Sequence, residues 1–188
     1  MISHQARNAD DVDESPQEQF EVLRGAGGFA RPDVGLMAKS PALINAFFSA
    51  YGHFRGGGTF TPDEQQVLLL SNAVANRSEW SVAFHTMEAL AEGVELSAVE
   101  AIRQGMLPKD PRLAALSSFT QSVIELRGQV DDAEVAAFQA AGFTREQVLE
   151  VITGVAISAM SDYVTNLARP PLEDEALPYS WNARELGF

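Results

Sequence analysis

Two serines and a histidine in the run Asn76-Arg77-Ser78-Glu79-Trp80-Ser81-Val82-Ala83-Phe84-His85 are the residues whose types and spacing could do chemistry. On a helix that starts at Ser78, positions 78, 81 and 85 share one face, because residues three and four apart stack on a 3.6-residue turn. Two hydroxyls and an imidazole then stand within reach of one another, the elements of a nucleophile and its base. The same residues have a plain structural reading. Serine is a preferred N-cap, so Ser78 caps the helix, Ser81 packs and His85 hydrogen-bonds at a helix interface. A hydrolase would also need the strained strand-to-helix turn of a nucleophile elbow, and no such turn is legible here.

Other candidates are weaker. Glu88 and Glu92 lie three and seven residues after His85, a pattern more typical of a solvated face than of a metal site. His53 stands near a helix end, where capping explains it. His4 falls in the polar N-terminal stretch. Phe47, Phe48, Phe54 and Phe60 read as core. No metal and no cofactor is expected.

The elements that must position these residues are helices. Ser40-Pro41 is a cap followed by a first-turn proline, and Leu43, Ile44, Phe47, Phe48 and Tyr51 recur at helical spacing up to Gly56-Gly57-Gly58. Thr61-Pro62-Asp63-Glu64 has the form of a capping box and opens an apolar run from Val67 to Ala75, dense enough to be buried on most sides. The Ser78 to Glu92 helix ends at Gly93. Ser97 with Glu100, Asp110-Pro111, Asp131 with Glu134, and Thr144 with Gln147 mark four further starts. The last opens the longest helix, which runs to about Ala168 and stops before Pro170-Pro171. Phe20, Val22 and Leu23 suggest a short earlier helix. Strand alternation is not convincing anywhere. The expectation is an all-α domain of about seven helices over residues 19–175, with an arm at 1–18 and a tail at 176–188 anchored by Tyr179, Trp181 and Phe188. Val67–Ala75 and Val148–Met160 are both apolar on most faces. One domain of this size hides two such helices less easily than one, which favours burial against a second copy of the chain.

The 188-residue chain carries a formal net charge of -13 and no cysteine. Its acidity disfavours nucleic acid and anionic membranes as partners. The polar N-terminus lacks the apolar core of a secretory signal, and a cytoplasmic location is the expectation. Without cysteine, disulfides and thiol chemistry are excluded.

The stretch from Phe60 to Glu175 resembles the alkylhydroperoxidase D / carboxymuconolactone decarboxylase superfamily. Members carry a helix opening with Ser/Thr-Pro and acidic residues, an apolar run, and then Asn-x-Cys-x-Tyr/His-Cys-x-x-x-His. Thr61-Pro62-Asp63-Glu64-Gln65-Gln66-Val67 and Asn76 to His85 are the matching segments. Leu116 to Thr120 with Arg127-Gly128, Ala140 to Phe143 with Val148 to Val151, and Ser161 to Asn166 with Pro171 to Asp174 follow in order. The resemblance implies an alkylhydroperoxidase D-like helical bundle and thiol-dependent reduction of hydroperoxides, an antioxidant activity. It places Ser78 and Ser81 at the two redox cysteines, His85 at the relay histidine and Gln66 at the relay glutamate. Glu64 is nearby on the same helix, and Glu64, Trp80 and Phe84 are the expected substrate-binding residues. Asp162, Tyr163 and Asn166 match a polar run that lines a pocket or an interface, the interface being the favoured reading. The resemblance also implies a homo-oligomer, a dimer at least, with trimer and hexamer as larger forms and His85 at or near the interface.

The departure from the motif is severe. A cysteine of pKa about 8.5 reaches its thiolate near neutral pH, whereas a serine hydroxyl has no comparable anion or oxidation ladder. Gln66 cannot hold a proton in transit as a carboxylate does. Three accounts fit: serines substituted for cysteines to trap a reduced-like state; a non-enzymatic protein that has lost redox chemistry and keeps the pocket to bind a small molecule or serves as an interaction protein; or a cysteine-independent decarboxylase of a small lactone acid.

Overall fold

The computed structural model describes residues 31–186, without the side chains of 185 and 186. Eight α-helices make up the described residues: α1 (Pro32–Met37), α2 (Pro41–Gly57), α3 (Pro62–Ala75), α4 (Glu79–Ala91), α5 (Leu96–Arg103), α6 (Pro111–Glu125), α7 (Asp132–Ala140) and α8 (Arg145–Ala168). Short 3-10 turns follow at Leu177–Tyr179 and Ala183–Leu186. The expected all-α class holds, with one helix more than the seven expected. The extra helix is α1, six residues opened by Pro32, too short for apolar periodicity to reveal. The expected helix around Phe20, the arm at 1–18, His4 and Phe188 lie outside the described residues.

Caps explain most boundaries. Ser40 Oγ accepts from Leu43 N, Asp110 from Arg112 N and Leu113 N, and Asp131 from Glu134 N. Thr144 and Gln147 close a reciprocal box. Ser97 does not cap: α5 begins at Leu96 after Glu95, which leaves Ser97 inside the first turn. Glu134 does not return a bond to its cap either, because its carboxylate accepts from Ser122 Oγ at 2.7 Å.

α3 is the axis of the bundle. Every residue from Glu64 to Val74 is buried, with α4, α6 and α8 packed around it. Phe47, Phe48, Phe54 and Phe60 belong to the core, as expected. The chain therefore covers α3 by itself, and of the two densely apolar helices only α8 keeps an uncovered face.

α8 is 24 residues long and, by length and composition, apolar enough to cross a membrane. Here it packs along α1, α2, α3 and α4. It crosses α3 at Gly154, where a Cβ would collide with a Leu68 methyl. Its other face presents Leu149, Ile152, Tyr163 and Leu167 to solvent, Leu167 at 87% exposure. Trp181 in the tail donates to Arg103 O at 2.9 Å, and Arg103 in turn donates to Tyr179 O and Ser180 O, which holds the tail against α5.

Candidate functional site

The α3–α4 turn builds the site. Asn76 ends α3, Arg77 takes the left-handed conformation (φ 53°), and Ser78 caps α4. Ser78 Oγ accepts from Ser81 N at 3.4 Å and donates to Ser81 Oγ at 2.9 Å. Both serines are fully buried. Capping and pairing are thus one arrangement: the hydroxyl that satisfies the helix N-terminus is also the one that meets its neighbour.

α8 supplies the other wall. Thr165 Oγ1 lies 3.0 Å from Ser78 Oγ and donates to the carbonyls of Ser161 and Asp162, also at 3.0 Å. The Asp162 carboxyl accepts from Asn76 Nδ2 at 2.9 Å and from the Ser81 hydroxyl. Asn166 Nδ2 donates to Asn76 O at 3.0 Å, tying α8 to the turn a second time. Asp162 is 1% exposed. Burial pushes its carboxyl up to about 7, against the lowering effect of the Ser81 and Asn76 bonds, and nearby Asp33 adds repulsion. This corrects the interface reading for Asp162, which faces the serine pair inside one chain. Tyr163, by contrast, points to solvent.

His85 faces a different partner. Its Nδ1 lies 3.0 Å from Gln66 Oε1 on α3, so the ring donates there and Gln66 accepts. Among the described residues His85 has no hydrogen bond to either serine, and the expected cluster divides into a Ser78–Ser81–Asp162–Thr165 network and a His85–Gln66 pair. Burial, reinforced by the Arg31 charge, lowers the His85 pKa to about 3, so the ring is neutral near pH 7.

Trp80 and Phe84 stack at 5.2 Å on the same face of α4, and Trp80 Nε1 donates to Glu173 at 3.2 Å. Glu64 is committed elsewhere: Arg112 Nε donates to it at 2.6 Å and the N–H of Thr61 at 3.1 Å. Its carboxylate serves α3's N-terminus and not the serine pair. Glu92 pairs with Arg55, and His53 is exposed. Among the described residues no three His, Cys, Asp or Glu side chains group as a metal site requires.

Sequence reasoning missed Thr165 and the Arg31–Asp33 pair. Thr165 lies three residues after Asp162, the helical spacing that would have linked them. Arg31 donates to Asp33 at 2.6 and 3.1 Å, Asp33 accepts from Ser161 Oγ at 2.8 Å, and the guanidinium lies over Phe84, Tyr51 and Phe47. Burial would raise the Asp33 carboxyl, but the Arg31 charge and these bonds hold it below its ordinary value. Arg31, Phe47, Tyr51, His85, Ser158 and Ser161 enclose a small gap beside the histidine.

A larger cleft of about 720 Å³ is lined by Trp80 together with Arg77, Glu79, Thr165, Arg169 and Arg184. Thr165 is its link to the serine pair.

No protein-family model and no curated protein sequence matches the chain. Solved structures do. An uncharacterized peroxidase-related protein from Ralstonia eutropha JMP134, described as an alkylhydroperoxidase AhpD core, superposes with a TM-score of 0.75 at 19% identity over 86% of this chain and 87% of that one. A peroxidase-related protein from Silicibacter sp. TM1040 gives 0.72 at 16% identity, over 89% and 90%. The debrominase Bmp8 gives 0.71 at 14% identity over 91% of each chain, and a cysteine-to-alanine variant of it was solved with 2,3,4-tribromopyrrole. The helices of this chain and their order are therefore those of the AhpD-like fold.

Proposed function

We propose that this protein uses the AhpD-like fold to bind a small molecule beside the α3–α4 turn, without thiol-dependent reduction of hydroperoxides. The carrying observation is the Ser78–Ser81 pair, 2.9 Å apart, in a chain with no cysteine. Hydroxyls at that separation reproduce the spacing of a reactive pair but supply no thiolate, so peroxide O–O cleavage by this route has no nucleophile. The debrominase complex supports a small organic ligand, since a bromopyrrole is accommodated on a similar fold. The test has two arms. Purified protein with cumene hydroperoxide and dithiothreitol consumes no peroxide above the buffer blank, once metals and haem are excluded. A fragment panel read by tryptophan fluorescence in a Trp181→Phe background finds ligands whose binding weakens when Thr165→Val is added. Dithiol-dependent peroxide turnover defeats the first half; a panel with no Thr165-sensitive binder defeats the second.

One observation favours a second reading, cysteine-independent acid–base catalysis. A buried carboxyl with its pKa near 7 is suited to proton transfer at neutral pH, and Asp162 is hydrogen-bonded to the serine pair. A reaction of this kind would follow the titration of Asp162 and disappear in Asp162→Asn.

The protein is also proposed to self-associate through α8. Leu149, Ile152, Ala156, Tyr163 and Leu167 fall at successive spacings of 3, 4, 7 and 4 on its outer face, a continuous stripe suited to another copy. Light scattering over a hundredfold dilution tests this. Leu167→Glu with Ile152→Glu should lower the mass, and a monomer mass for the unaltered chain defeats the proposal.

A further inference from the structure

We propose that the cleft beside Trp80 is a site for a small organic anion, a carboxylate or phosphate held by Arg77, Arg169 and Arg184. The proposal deepens the small-molecule reading above and rests on it. Three of the chain's 13 basic residues line this one cleft, against a single acidic lining residue, Glu79, in a protein of net charge -13. That local excess is opposite in sign to the rest of the molecule, so it selects an anion from solution rather than following the bulk field.

The three arginines arrive from separate parts of the chain. Arg77 stands in the α3–α4 turn, Arg169 ends α8 and Arg184 comes from the tail. Among the described residues Arg169 and Arg184 form no ion pair, a condition they share with Arg127 and Arg145 outside the cleft, while Arg31, Arg55, Arg103 and Arg112 each have a carboxylate. A guanidinium presents a planar fork of donors that matches a carboxylate or phosphate in two parallel bonds. Asn166 and Asn182 add side-chain amides, and the Trp80 ring gives an apolar wall for the body of the ligand. Thr165 lines the same cleft while touching Ser78, so a ligand anchored by its anionic end is held beside the serine pair.

Backbone geometry supplies a clean test. Arg77 and Arg169 are left-handed (φ 53° and 49°), where glycine is preferred on steric grounds. Replacing either with glycine removes the charge while relieving the backbone. Arg127 is also left-handed (φ 53°) but lies outside the cleft, which makes Arg127→Gly the matched control.

The experiment is calorimetric titration of the full chain with sodium benzoate, benzamide and inorganic phosphate at low ionic strength, where surface charge is least screened. Benzoate, phosphate or both should bind saturably, with benzamide at least about tenfold weaker than the anion that binds. Affinity for that anion should fall at least about tenfold in Arg77→Gly/Arg169→Gly, with folding checked by circular dichroism, and should be unchanged in Arg127→Gly. Binding of phosphate alone assigns the site to phosphate esters, and of benzoate alone to carboxylates. Benzamide binding as tightly as benzoate overturns the anionic class and leaves the small-molecule reading standing. Anion binding that persists in the double glycine variant overturns the assignment to this cleft. Failure of both anions overturns the proposal, and the fragment panel then judges the broader reading by itself.

Discussion

Asp162→Asn should make the protein more stable above neutral pH and should not do so in acid. In the folded chain the Asp162 pKa is about 7, raised from an ordinary 3.8 by burial. A raised carboxyl favours folding relative to its ionised state fully below the unfolded pKa, and that contribution is lost as pH rises through the folded one. One pKa unit corresponds to about 1.4 kcal/mol, so a rise of about three corresponds to about 4 kcal/mol. Somewhat less than half of this is already lost at pH 5. The remaining loss, about 2–3 kcal/mol between pH 5 and pH 9, is the measurable part. His85 hides it in the unaltered protein. Its folded pKa is about 3, so its neutral ring favours folding fully above the unfolded value of 6.5, and that contribution is lost as pH falls from there toward the folded value. Over the shared window the native state holds one proton more at Asp162 and one fewer at His85, and the two slopes oppose each other. Urea unfolding of Asp162→Asn and the unaltered chain, at unit steps from pH 5 to 9, isolates the carboxyl in the difference. Asparagine keeps an oxygen to accept from Asn76, so the network is rearranged only toward Ser81. A difference that stays flat to within about 0.5 kcal/mol from pH 5 to 9 would refute the reasoning, because Asp162 would then be charged throughout.

Gln66→Glu places a carboxylate 3.0 Å from His85 Nδ1 and should raise the His85 pKa from about 3 toward its ordinary 6.5, read by NMR titration of the ring; an unchanged titration contradicts the pairing. Ser78→Cys with Ser81→Cys should form a disulfide on mild oxidation, since the hydroxyl oxygens are already 2.9 Å apart; intact-mass measurement that never shows the loss of two hydrogens counts against the geometry. Glu64→Gln should destabilise by about 1–2 kcal/mol in urea through its lost charge on Arg112, with ligand binding unaffected. A change in binding with no change in stability would return Glu64 to the site.

Caps made most of the longer helices legible, because Ser40, Asp110, Asp131 and Thr144 are side chains that satisfy backbone groups only a few residues away. Ser78, Ser81 and His85 were legible for a related reason, since they share one short stretch at the start of α4, while Gln66 was placed by the family resemblance alone. Asp162 was not. Its position on α8 was clear, but which face of α8 meets the turn depends on the α3–α8 contact, a matter of packing between residues 86 apart, as the Asn76–Asp162 bond shows. Arg77, Arg169 and Arg184 were invisible as a group for the same reason. Ser97 misled because serine near a helix start is usually a cap, and here the chain entered the helix two residues sooner.

The missing side chain at Gly154 gives the molecule a fulcrum. Leu68 seats against the bare backbone there, and Asp162 lies eight residues further along α8, about 12 Å away at 1.5 Å per residue. A tilt of about 5° at the crossing would therefore carry the Asp162 carboxyl about 1 Å from the serines, enough to break its hydrogen bond with Ser81. Gly154→Ala, which adds one methyl where a Leu68 methyl already stands, would act on the site as a wedge acts on a long hand. Its first symptom should be a displaced Asp162 titration, ahead of any loss of helix.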